Sequence, residues 1–227
     1  MRSTLGVVAS SRVRPAVGGG AITHSYITGV DNGANQATYT YSSVSLGAAA
    51  SDRTIVVVAV SRGTGGSGTF SCTIGGVAAT IDFSSGFTGT GNAIMIARAV
   101  VPTGTTGDIV VGFGATQLRS AIGVYRIVGG TVTPVADDIA RDFSTTPTSL
   151  AAASTADGVV LGGFLVAAVA TGVTWSTMTK DYDAQIGGEF STASFASAAT
   201  SGSSFTVEVQ SPSVASSVAA IVTYEGA

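Results

Sequence analysis

Residues that usually carry chemistry are scarce in this chain. Its 227 residues include one histidine (His24), one cysteine (Cys72), one lysine (Lys180) and one tryptophan (Trp175). A single cysteine excludes an internal disulfide framework, and with one histidine beside it there are too few ligands for a zinc site of Cys and His. Cys72 lies in the apolar alternation of "TFSCTIGG" and reads as a small buried residue. Lys180 follows no glycine-rich run, so no G-x-x-x-x-G-K-[ST] phosphate loop is present. No G-x-S-x-G elbow accompanies His24, which reads as a strand-end residue in "AITHSYITG". The sequence therefore predicts no enzyme, no cofactor and no metal.

Charge is equally thin. Charged residues make up 10% of the chain, against about 25% in an average domain. The formal net charge is −3. No basic stripe exists beyond the N-terminus, which argues against a nucleic-acid partner. "LGVVA" (5–9) is shorter than a signal-peptide core of about 7–15 residues. "VVLGGFLVAAVATGV" (159–173) falls short of the roughly 20 residues of a spanning helix and contains three glycines. The expectation is no membrane insertion.

What the chain has is glycine, with 31 residues, about double the usual share, together with Ser, Thr, Ala and Val. Turn-forming stretches such as "DNG", "GTGGSG", "PTGTTGD" and "TSGSS" separate short β-branched runs. These predict strands at 21–28, 37–46, 53–61, 69–74, 77–83, 92–101, 108–113 and 119–128. A second series follows at 148–153, 158–167, 172–179, 189–198, 204–210 and 214–225. "TVTPVA" in the joint between the series suits an edge strand. No twelve-residue window keeps a helical period without glycine, so almost no helix is expected.

The two series resemble each other. "SDRTIVVVAV" (51–60) aligns with "ADGVVLGGFL" (156–165), "NAIMIARAV" (92–100) with "STASFASAA" (191–199), and "AIGVYR" (121–126) with "AIVTYE" (220–225). The fold predicted is all-β: an antiparallel, jelly-roll-like β-sandwich spanning 21–227, built from pseudo-repeats at about 21–130 and 131–227. Residues 1–20 contain Arg2, Arg12 and Arg14, no acid, and end in Gly-Gly-Gly. They are either a frayed terminus or an attachment arm whose arginines meet carboxylates on a neighbour.

Three runs, "TIVVVAV" (54–60), "IMIARAVV" (94–101) and "VVLGGFLVAAV" (159–169), are apolar at nearly every position. Half-exposed strands alternate, so these are covered on both faces. In a two-layer sandwich the second cover has to be another subunit or partner, unless Val and Ala simply tolerate water.

The densest polar stretch is "TMTKDYDAQIGGE" (177–189), with Asp181, Asp183 and Glu189. If 181–183 is a plain strand, both aspartates share one face and Tyr182 the other. Such a pair suits an acid pair, a calcium ligand pair or a solvated loop, although the EF-hand pattern is missing. With Trp175 nearby, the group Trp175, Lys180, Asp181, Tyr182 and Asp183 is the candidate glycan contact: aromatic faces stack on sugar rings while charged groups bind hydroxyls. Asp137 with Asp138 is a further acid pair.

"YTYSSVSLGAAASDRTIVVVAVSRG" (39–63), "CTIGGVAATI" (72–81), "ARAVVPTGTTGDIVVGFG" (97–114), "IGVYRIVG" (122–129) and "VTWSTMTKDYDAQIGGEFSTAS" (173–194) resemble a recurrent type of bacteriophage virion protein. These are the β-sandwich proteins of tails, fibres and head-surface appendages. The resemblance implies a structural subunit on the exterior of the particle, attached through its basic N-terminus. Its partners would be sister subunits, in a homo-oligomer such as a trimer, and other virion proteins. It transfers no catalytic residue. The alternative is a carbohydrate-binding module or adhesin touching host surface polysaccharide through 175–189.

Overall fold

The computed structural model describes residues 21–63, 68–86, 91–141, 147–154, 156–170, 172–188, 191–201, 205–212 and 216–227. Arg2, Arg12, Arg14 and Glu189 lie outside the described residues.

The chain is almost all antiparallel strand. The first half contains β1 (Thr23–Asn32), β2 (Gln36–Ser45), β3 (Thr54–Gly63), β4 (Ser71–Ile74), β5 (Val77–Ala78), β6 (Thr80–Ser85), β7 (Asn92–Val100) and β8 (Thr106–Val128). The second contains β9 (Val132–Arg141), β10 (Thr148–Ala152), β11 (Ala156–Val166), β12 (Thr174–Trp175), β13 (Thr179–Gln185), β14 (Thr192–Ser201), β15 (Phe205–Gln210) and β16 (Ser217–Gly226). A single 3₁₀ turn, Ile186–Gly188, is the only helical piece among the described residues.

The runs expected as two strands at 108–113 and 119–128 are one strand, the 23-residue β8. Its first part pairs with β2 and β4, and its last part with β1 and β3. Gly114, at φ +71°, lies where it passes from one sheet to the other. The first half is thus a sandwich with an outer sheet β2–β8–β4–β5 and an inner sheet β1–β8–β3–β7–β6. The second half repeats this with an inner sheet β13–β14–β11–β16–β9 and an outer sheet β10–β15–β12. Pro134 lies in β9, the edge strand of the second inner sheet, a position where proline is tolerated.

Matching the halves strand by strand, β1, β8, β3, β7 and β6 correspond to β9, β16, β11, β14 and β13. The outer strands β2, β8 and β4 correspond to β10, β15 and β12. The order is conserved throughout, so the pseudo-repeat is real. Each repeat builds its own two layers, and the sandwich is four layers deep.

The two inner sheets face each other across a seam. Val56, Val58, Val60, Ile94, Ile96, Ala121 and Tyr125 of the first half meet Val159, Leu161, Leu165, Phe195, Val218, Ala220 and Tyr224 of the second. The alternate residues Ile55, Val57 and Ala59 face the first outer sheet, and Val160, Phe164 and Val166 face the second. This accounts for the continuous apolar runs: they are covered twice, as expected, but each repeat covers the other. No second subunit is needed for them, because the missing face is supplied by the same chain. Packing is close enough that a Cβ on Gly163 would come within 2.6 Å of Val58 Cγ1 across the seam, and one on Gly162 within 2.9 Å of the Trp175 ring on the opposite side.

Candidate functional site

The described part of the stretch 177–189, residues 177–188, contains β13, the margin of the second inner sheet, and the 3₁₀ turn after it. In its ladder with β14, Lys180 lies opposite Ala196 and Tyr182 opposite Phe195, leaving Asp181 as the extra residue of a β-bulge. The plain-strand alternation expected for Asp-Tyr-Asp therefore fails. The bulge turns Asp181 and Tyr182 both toward the first half, while Asp183 faces away.

Asp181 Oδ2 accepts hydrogen bonds from Ser197 Oγ at 2.6 Å and, across the seam, from Tyr125 Oη at 3.1 Å. Burial raises its pKa, held back by those two donors and by His24 nearby. His24 is itself pushed below its ordinary value, because burial outweighs the attraction of Asp181. The Tyr125 hydroxyl is driven well above 10 by burial and by Asp181. Tyr182 stacks on Phe195 with ring centroids 5.4 Å apart, and donates from its hydroxyl to Asp31 Oδ2 at 3.2 Å, again across the seam. The Gly187 amide donates to Asp31 Oδ1 at 3.2 Å.

The other residues of the predicted glycan group go elsewhere. Lys180 Nζ is 2.8 Å from Asp183 Oδ2 and donates to the Val173 carbonyl at 2.9 Å. Trp175 is 8% exposed, in the core between the second half's two sheets, and its indole N–H donates to Ser194 Oγ at 3.0 Å. Trp175 borders a shallow depression of about 180 Å³ shared with Pro147, Thr174, Ser176, Glu208 and Gln210. Asp137 and Asp138 are consecutive on β9, so their side chains leave opposite faces. Asp138 accepts from the Ile139 and Ala151 amides, both at 2.8 Å, the second tying β10 to β9. Cys72 is buried, its thiol pushed up to about 12 by that burial. Among the described residues no group of three or more His, Cys, Asp or Glu is placed to hold a metal ion.

Sequence reasoning overlooked Asp82, the partner of this arrangement at the opposite margin. Asp82 is the extra residue of a bulge in β6, between Ile81 opposite Ala97 and Phe83 opposite Ile96. Its side chain is 2% exposed, accepts from Tyr224 Oη across the seam at 3.0 Å, and lies 2.9 Å from Arg98 Nε. Burial raises its pKa against the opposing charge of Arg98 and the hydrogen bonds of Tyr224 and Arg98. The signal was present in the sequence: Thr80-Ile-Asp-Phe83 and Thr179-Lys-Asp-Tyr182 share a pattern 99 positions apart, the separation that also relates Tyr125 to Tyr224. Each half thus offers a tyrosine to the other's bulged aspartate, the reciprocity of an isologous interface within one chain.

Arg53 was also missed. Fully buried, it donates to the carbonyls of Val101, Leu46, Gly47, Thr103 and Gly104, closing the loops at one end of the first half.

Fold and site together define an all-β sandwich of two face-to-face pseudo-repeats whose polar clusters bind one repeat to the other. No protein-family model matches the chain, and no curated protein sequence matches it significantly.

Proposed function

We propose that the chain is a non-catalytic structural subunit of a tailed-phage-type particle, displayed on its exterior at tail, fibre or head and attached through residues 1–20. The observation supporting a structural role is that Asp181 and Asp183, the described acids of the most acidic stretch, are engaged in internal bonds. Asp181 is taken by Tyr125 and Ser197, Asp183 by Lys180, and Tyr182 by Asp31. A carboxylate tied to two hydroxyls inside a joint sets geometry; it is not poised for general acid or base work on an outside substrate. The resemblance of 37–225 to virion sandwiches supplies the particle.

The surfaces left for neighbours are the exposed faces of the outer sheets. They carry Thr38, Thr40 and Ser42 on β2, and Thr206, Glu208 and Gln210 on β15, a weakly charged, hydroxyl-rich surface. Sister subunits and other particle proteins would meet the chain there or through the N-terminal arm. Deleting residues 1–20 tests this reading. The truncated protein should fold with an unchanged circular dichroism spectrum yet fail to enter particles; normal incorporation would refute attachment through the arm.

A further inference from the structure

The halves are joined by three residues, Gly129, Gly130 and Thr131, between β8 and β9. Both glycines have positive φ, +114° and +133°, a region that folds β9 back over its own β8 and that side-chain-bearing residues rarely adopt. Among the described residues no strand ladder crosses the seam: each pairing joins strands of the same half. Among the described residues the seam is held by packed side chains, by the reciprocal Tyr125–Asp181 and Tyr224–Asp82 bonds, and by a few others such as the Ile22 amide to the Asp157 carbonyl at 3.4 Å. Opening it breaks no sheet. If the hinge extends, each half presents a complete face that fits the opposite half of any identical chain.

We propose that the seam accepts a second copy of the chain by exchange of halves, residues 21–128 of each copy closing on residues 132–227 of the other. All seam contacts are regained in the exchanged dimer, and the two hinges relax to extended backbone. The closed chain is favoured when dilute, since its two halves are tethered at high effective concentration. Exchange is favoured when chains meet while open, above all during refolding at high protein concentration.

Gly130 separates hinge strain from packing. A Cβ there would meet only the Ala227 carbonyl oxygen, at an ordinary 3.6 Å, so the objection to a side chain is the backbone angle. The test is to unfold and refold the full chain at high concentration, dilute it, and measure mass by light scattering. The wild type should yield a dimer fraction that persists on dilution. Gly130→Val should raise the dimerisation constant by at least about tenfold, because a β-branched residue resists the closed hinge. Inserting Gly-Ser-Gly after Gly130 should suppress the dimer. Association through outer faces would ignore both changes, and equal dimer in all three chains would overturn the proposal. So would a wild type and a folded Gly130→Val that both remain monomeric. If Gly130→Val fails to fold, the comparison of wild type with the lengthened hinge decides, and equal or absent dimer refutes exchange.

Discussion

Tyr125→Phe and Tyr224→Phe probe the seam with little change in volume. Each removes one hydroxyl from a fully buried ring and one donor from a carboxylate across the seam. A hydrogen bond to a charged group contributes roughly 1.5–3 kcal/mol. Here each aspartate keeps a second partner, Ser197 Oγ at 2.6 Å for Asp181 and Arg98 Nε at 2.9 Å for Asp82. The expected loss is therefore at the low end, about 1–2 kcal/mol for each variant. The two joints occupy opposite margins and share no partner, so the double variant should lose the sum, about 2–4 kcal/mol. Urea unfolding should be followed by Trp175 fluorescence and by far-ultraviolet circular dichroism. Trp175 sits in the second half's own core, whereas circular dichroism reports both halves. If the halves unfold together through the seam, both signals shift equally in every variant. A double variant no less stable than either single one, or a shift confined to one signal, would refute the reciprocal joint.

Asp181→Asn should be close to neutral or stabilising at pH 7, since the amide oxygen can still accept from Tyr125 and Ser197 without a buried charge. Its advantage over wild type should shrink with acid. Burial raises the folded-state pKa of Asp181, so the wild-type side chain gives its best stability below the unfolded carboxylate value and loses it as pH rises through the folded one. Paired urea midpoints between pH 7 and pH 4 check this, and an advantage that grows with acid would be contrary to the burial argument. Gly163→Ala should cost about 1–3 kcal/mol by overpacking against Val58, read from the thermal midpoint. Arg53→Lys should not restore what Arg53→Met loses, because an ammonium has three donors for the five carbonyls that the guanidinium serves; equal stability of Arg53→Lys and wild type in urea would contradict that.

The all-β class was legible because β-branched runs and positive-φ turns are local signals. Double coverage of 54–60, 94–101 and 159–169 was legible too, since alternation reports how many faces are buried. It does not report what buries them, and a repeat covering its own twin leaves the same pattern as a subunit contact. The single strand β8 was hidden because its middle, between the runs 108–113 and 119–128, is not apolar; Gly114 at positive φ lets the strand continue from one sheet into the other. The Asp181 bulge was unreadable from Asp-Tyr-Asp alone, because a bulge is set by register against the neighbouring strand. The way to it lay in the alignment: the separation that matches 92–100 to 191–199 and 121–126 to 220–225, carried back from Asp181, reaches Asp82. Arg53 gave no warning, since five carbonyls gathered by loops leave no trace in composition.

The two joints are equivalent in position but differ in chemistry, with a cation beside Asp82 and a hydroxyl beside Asp181. In a pair of identical subunits every substitution at such a contact is felt twice, so a weakening change weakens both margins together. With both copies in one polypeptide, one margin can be altered while the other holds the halves closed. The chain can therefore possess two unlike edges, one whose aspartate is held by a guanidinium as well as a tyrosine, the other whose aspartate is held by two hydroxyls, which a symmetric dimer of one sequence could not.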